Sequence, residues 1–253
     1  MSTPDSNNIL VGSGEVWFNR KELDGSYKGY RHLGNVSKLE VTPAPTIIEK
    51  KSSMNAARAV IARAITETKT TVVLTLDEFD KQNVALALLG NTETANQTAG
   101  TKTTAALGVA HLGYGIDTGF KNITVTDVKS GATVYVEGTD YSVDIASGLI
   151  TILATGTIVE ASTLTWDGTV PAITSFAVEA MSDGNIEGIL RYRSSADQVG
   201  PRMMVEVWRL AMSPSGALSL LGDAFAEIAL SGEALADSTK PVGKQFAKLT
   251  YLT

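Results

Sequence analysis

The sequence predicts a mainly β protein: a β-sandwich or barrel interrupted by a small all-β insert and carrying one flanking helix. Three observations lead there. Strand-like runs recur, most clearly KTTVVLTL (69–76), rich in β-branched residues, and VEVWRLAM (205–212), which alternates with period two. Turn pairs such as Asp24-Gly25 and Gly34-Asn35 separate them. Only one segment, from Asp77 to about Leu89, combines a capping residue, helical apolar spacing and a glycine stop. With 43% hydrophobic and 19% charged residues in 253, the chain has enough apolar content for a substantial core.

Taken in order, Ile9 to Arg20 reads as a strand, and the Asp24-Gly25 turn leads to Tyr27–Val41, so that the chain opens as a β-hairpin. A basic stretch, residues 43–66, follows. Lys69–Leu76 is a strand of high β propensity. Asp77 then serves as the N-cap of the helix, Phe79, Val84, Ala87 and Leu88 form its apolar face, and Gly90 ends it. From Asn91 to about His111 the Thr/Ala/Gly/Asn composition reads as a linker. Five short β runs come next, Ile123–Val128, Thr133–Val136, Tyr141–Ile145, Leu149–Leu153 and Thr163–Trp166, with Ser-Gly and Glu-Gly turns between them. Pro171 returns the chain to longer strands at Ile173–Met181, Ile186–Arg193 and Met203–Met212. Pro214–Leu221 is a turn or short helix, and Ala224–Leu230 and Gln245–Leu252 are the last strands. The organisation expected is a discontinuous main body, residues 1–94 and 169–253, split by an inserted β module, residues 95–168.

Charge singles out residues 43–66, PAPTIIEKKSSMNAARAVIARAIT. Lys50, Lys51, Arg58 and Arg63 stand against Glu49 alone, a net +3 in a chain of net −6, which leaves −9 elsewhere. A basic segment on an acidic body is attracted to further copies of that body. Its bulky apolar content is too low for core, and unsupported connections of this length are uncommon unless functional. MNAARAVIARAI (54–65) fits a short helix by propensity; an extended arm ordered by its neighbours is the other reading. Glu49, Lys50, Lys51, Arg58 and Arg63 are the candidate contact residues.

Catalytic sets are not found. His32 and His111 are far apart in sequence, without a second ligand at metal-binding spacing. There is no GxSxG elbow or HExxH helix, and Gly100-Thr101-Lys102-Thr103 lacks the lysine placement of a phosphate loop. Asp140 and Asp144 share one face of a strand and read as a solvated pair, not as a glycosidase couple. Trp17, Trp166 and Trp208 fall in strands and read as core. No metal, cofactor or enzymatic role is expected. The absence of cysteine removes disulfides and thiolate chemistry; the polar N-terminus resembles no signal peptide, and no apolar run is long enough for a membrane anchor. The acidic balance argues against gripping nucleic acid.

The GSGEVWFNR opening (12–20), RHLGNVSKLEVTP (31–43) with the long segment after it, LDEFDKQNVALALLG (76–90) and RMMVEVWRLAMSPSGALSLLGDAFAEIALSGEALAD (202–237) together resemble the major tail tube proteins of long-tailed bacteriophages. The resemblance covers roughly Leu10 to Gly90 and Ala172 to Thr253. It implies a tail-tube β-sandwich whose sheets join around a hexameric ring, with rings stacked into a hollow tube in the virion tail through which DNA passes without specific binding. It makes the long segment an arm to the adjacent ring, and it implies tape measure, tail terminator and distal tail proteins as partners after synthesis in the host cytoplasm. YVEGTDYSVDIASGLITIL (135–153) looks like a small module of the kind phage tail proteins carry. A secretion-system tube protein of the same fold, or a carbohydrate-binding β-sandwich adhesion module, are the other readings.

Overall fold

The computed structural model of the protein describes residues 9–54 and 56–252. Before the helix come β1 (Gly14–Arg20), β2 (Arg31–His32), β3 (Val36–Pro43), β4 (Thr46–Lys51), β5 (Val60–Glu67) and β6 (Thr70–Leu76). The helix α1 covers Lys81–Ala87. After it come β7 (Asn91–Gln97), β8 (Gly100–Val109), β9 (Gly115–Asp117), β10 (Thr124–Ser130), β11 (Thr133–Tyr135), β12 (Tyr141–Asp144) and β13 (Leu149–Ile152). The last strands are β14 (Thr163–Val170), β15 (Ile173–Glu179), β16 (Ile186–Ser194), β17 (Met203–Pro214), β18 (Ile228–Ala234) and β19 (Ala247–Tyr251). The protein is mainly β, with one helix among the described residues.

Two compact units result, one from the described residues up to Glu93 with those from Val178 on, the other Thr94–Ala177. The first is built on an eight-stranded sheet in the order β2-β1-β16-β17-β18-β6-β3, with β19 pairing the first half of β17. The path does not close on itself, so this is an open sheet and not the barrel that the sequence left as an alternative. Alternation is what makes it half-buried: in β6, Val72, Leu74 and Leu76 are fully buried while the residues between them are not. With Val207, Leu210 and Leu230 they form the centre of the first core, each buried leucine contributing about 1.5–3 kcal/mol of transfer free energy.

The opening hairpin differs from expectation. β1 meets β2 only at Trp17–His32 and Phe18–Arg31, and the chain then leaves so that β3 runs antiparallel to β6 along its length. The helix begins later than expected. Asp80, not Asp77, is the N-cap, its Oδ1 accepting the backbone N–H of Gln82 (2.8 Å) and Asn83 (2.7 Å). Asp77 is occupied elsewhere, taking the Ser37 hydroxyl at 2.8 Å and the Asn35 amide. Val84 and Ala87 pack on the core as expected, but the buried α1 residue of that core is Leu86, absent from the expected apolar face, whereas Phe79 is 38% exposed. At the C-terminus Leu89 takes the left-handed conformation (φ 49°), and the N–H of Gly90 reaches the Ala85 carbonyl at 2.8 Å. Gly90 has a separate reason to be glycine: a Cβ there would lie 2.4 Å from the Glu179 carbonyl oxygen.

The expected linker at 91–111 is instead two strands. β7 pairs β15, and β8 pairs β14 over its length. Its threonines are β-branched, and strand partners contributed by residues far downstream outweigh the low bulk of the segment. The second unit, placed at 95–168 by sequence, contains a four-stranded sheet (β11-β10-β14-β8) and a three-stranded one (β12-β13-β9). Ile123, Val128, Tyr141, Ile150, Leu164 and Trp166 anchor its own core. Of the three tryptophans only Trp166 is core. Trp17 lies edge-on to His32 with centroids 4.9 Å apart, and Trp208 sits under the Lys240 ammonium at 4.3 Å.

Asp140 is not the solvated acid its spacing suggested. It is 4% exposed, and its carboxylate accepts the Val136 N–H (2.8 Å), the Thr157 N–H (2.6 Å) and the Thr157 hydroxyl (2.9 Å). The Thr157 N–H, followed by that of Val136, holds its pKa below the usual aspartate value. A depressed carboxylate pKa supplies stability above the unfolded value, and that stability is lost as pH falls through the folded one. Asp140→Asn is therefore expected to lower the melting temperature of the second unit at neutral pH, with the gap to wild type narrowing below about pH 4. Calorimetry across that range checks it, and a gap that stays constant into strong acid would refute the assignment.

Candidate interaction surface

Within residues 43–66, β4 and β5 form a two-stranded antiparallel ribbon bonded to no other strand, so Val60–Glu67 is strand and not the helix that propensity allowed. The β-branched residues Thr46, Ile47, Ile48, Val60, Ile61 and Ile65 dominate the two strands and favour pairing over helix. The ribbon prolongs the main sheet: Pro43 faces Thr70 in register, the Ala44 N–H reaches the Lys69 carbonyl at 2.8 Å, and Thr46 faces Glu67. At the tip, the Ser52 N–H donates to the Ala59 carbonyl at 2.7 Å.

Every residue of β5 is exposed. Ile48 (58%), Ile61 (65%) and Ile65 (64%) are open to water, although isoleucine is among the residues most often buried. Register puts Ile47 opposite Ile65 and Glu49 opposite Arg63 on one face, with Ile48, Lys50, Ala62 and Ala64 on the other. Both faces thus mix apolar and charged groups, and apart from the half-buried Ile47 every residue of the two strands is exposed. All five candidate residues lie on this ribbon and are exposed: Glu49, Lys50 and Lys51 on β4, Arg63 on β5, and Arg58 near the tip in a left-handed conformation (φ 45°). Among the described residues, Lys50, Lys51, Arg58 and Arg63 have no ion-pair partner, whereas Arg20, Arg191, Arg193 and Arg209 each have one. A two-stranded ribbon with no hydrophobic support is marginal in water. Its exposed isoleucines and unpaired cations equip it to add apolar area and charge to another surface.

A second exposed apolar element lies outside the residues singled out by sequence. Pro214–Leu221 forms no helix and the next strand starts at Ile228, leaving a loop from Ser215 to Glu227. Leu218 packs on the main core and the Ser215 N–H reaches the Ala229 carbonyl at 3.0 Å, so the base is anchored. Beyond it Leu220 (77%), Leu221 (94%) and Phe225 (102%) stand in solvent. The signal was present as the apolar phrase LSLLGDAF, which strand-and-turn reading divided between a turn and a strand.

An open groove of about 670 Å³ lies beside α1, lined by Arg20, Lys21, Lys28, Arg31, Glu22, Asp24 and Asp183 among others. Arg20 is consumed by Asp183 (2.6 Å), Asn91 (2.8 Å) and the Gly90 carbonyl (3.2 Å), and Arg31 by Asp80 and Asn83. These ion pairs and hydrogen bonds tie the two arginines of the groove to the strands and helix around it. His111 lies 2.7 Å from Glu160 on the surface of the second unit, an exposed pair that sequence spacing did not reveal. Among the described residues no three metal-ligating side chains converge, and no helix is long and apolar enough to cross a membrane. Residues 9–253 match the family described as protein of unknown function UCP028589. No curated protein matches the chain.

Proposed function

We propose that the chain, which belongs to that family, is a structural subunit of a long-tailed bacteriophage that assembles with its own copies into stacked hexameric rings. The rings form the hollow tail tube through which DNA passes into the host. The observation that carries this reading is the β4–β5 ribbon, which continues the main sheet outward with exposed isoleucines, four unpaired cations and no third strand beside it. Such a segment is stable as half of an interface.

The sheet supports the same reading at its edges. β3 is the last strand on one side, and on the other β1 is covered for only two residues by β2. Unpaired edges add further strands, and in a closed ring each subunit supplies the strand its neighbour lacks. The net charge of −6 suits a conduit that must not bind phosphate. In this role the protein ends in the virion tail, and the tape measure, tail terminator and distal tail proteins are its further partners, as the sequence resemblance implies.

Electron microscopy of the purified protein is the test. Six-fold rings or tubes of uniform diameter are expected; a chain that sediments as a monomer at high concentration and never forms rings would overturn the proposal.

A further inference from the structure

We infer that the β4–β5 arm of one copy docks on the Ser215–Glu227 loop of the next. This rests on the self-assembly proposed above and names the receiving surface, which that proposal left open. The first support is placement. In the ladder β18–β6–β3, Thr70 and Pro43 mark the end from which the arm leaves, whereas Ile228 pairs with Leu76 at the opposite end, where the loop enters β18. β6 spans about 20 Å between those ends. The arm prolongs the ladder away from the loop, so an arm and a loop meet when one copy stands beyond the other along the strand direction. That contact is head-to-tail and repeats without limit, as a stack requires.

The second support is chemistry. The loop carries Asp223 and Glu227, no Lys or Arg, and neither carboxylate has an ion pair among the described residues. Lys50, Lys51 and Arg63 are their complements, and Ile48, Ile61 and Ile65 match the exposed Leu220, Leu221 and Phe225. Charge complementarity thus favours the acidic loop as the surface that receives the basic arm.

The chain has no cysteine, so introduced thiols report one contact cleanly. Ala62 and Ala224 are small, exposed and uncharged, one on the arm and one on the loop. Oxidised assemblies of Ala62→Cys/Ala224→Cys are expected to give covalent ladders of many subunits, and either single variant none. Separately, Lys50→Glu/Lys51→Glu and Asp223→Lys/Glu227→Lys should each raise the concentration needed for assembly by about tenfold or more, and mixing the two should restore it because reversed arm meets reversed loop. If wild-type tubes form but no ladder appears and mixing rescues nothing, the loop is not the receiving surface and the tube proposal stands. If wild-type protein never assembles, both fall.

Discussion

Changing Lys50, Lys51, Arg58 and Arg63 together to serine is expected to abolish ring stacking while leaving thermal unfolding of the subunit unchanged. All four are exposed and unpaired in the free chain, and surface substitutions of that kind shift stability by about 0.5 kcal/mol or less. The assembled state is different because the effect multiplies. In the proposed hexameric ring, at about 0.5 kcal/mol per exposed ion pair, the two carboxylates of each receiving loop allow two pairs on each of six arms, roughly 6 kcal/mol per ring junction. Losing that is enough to turn tubes into free rings or subunits. Calorimetry should show an unchanged transition while electron microscopy shows no tubes. Long tubes from the serine variant would mean that the arm's charges do not hold rings together.

Trp166→Ala is expected to melt the second unit selectively. Trp166 is 1% exposed among Phe120, Ile150 and Leu164, and Gly168 leaves room for its ring, since a Cβ there would lie 2.8 Å from the indole. Truncating a fully buried tryptophan costs about 3–5 kcal/mol. A small domain has only about 5–15 kcal/mol in total. Because the first core is composed of other residues, its transition should stay in place while a second moves to lower temperature. Calorimetry resolves the two; a single transition that shifts as a whole would show that the cores unfold together.

Strands whose burial pattern is written locally were legible in the sequence. KTTVVLTL is rich in β-branched residues and VEVWRLAM alternates, and they became β6 and the centre of β17. What was missed depended on partners far along the chain. Residues 91–109 carry little bulk and acquire strand structure from β14 and β15, more than fifty residues downstream. LDEFD offers two aspartates as caps, and the choice of Asp80 follows from Asn35 and Ser37 engaging Asp77. In the arm the candidate residues were found by net charge alone. Its extended form comes from the pairing of β-branched residues against a helix that would have had no surface to pack on. The apolar phrase of the loop at 215–227 was legible but its exposure was not, because a window of apolar letters says nothing about whether water or protein lies opposite.

The strands β7 and β15, in which the chain passes into the second unit and out again, are hydrogen-bonded neighbours. Entry and exit therefore share one doorway, and none of the ladder that builds the main body runs through the module between them. Such an arrangement makes the module an exchangeable cassette. A lineage could lengthen, replace or discard it by editing a single site in the gene, while the strand order and both free edges of the body stay as they are.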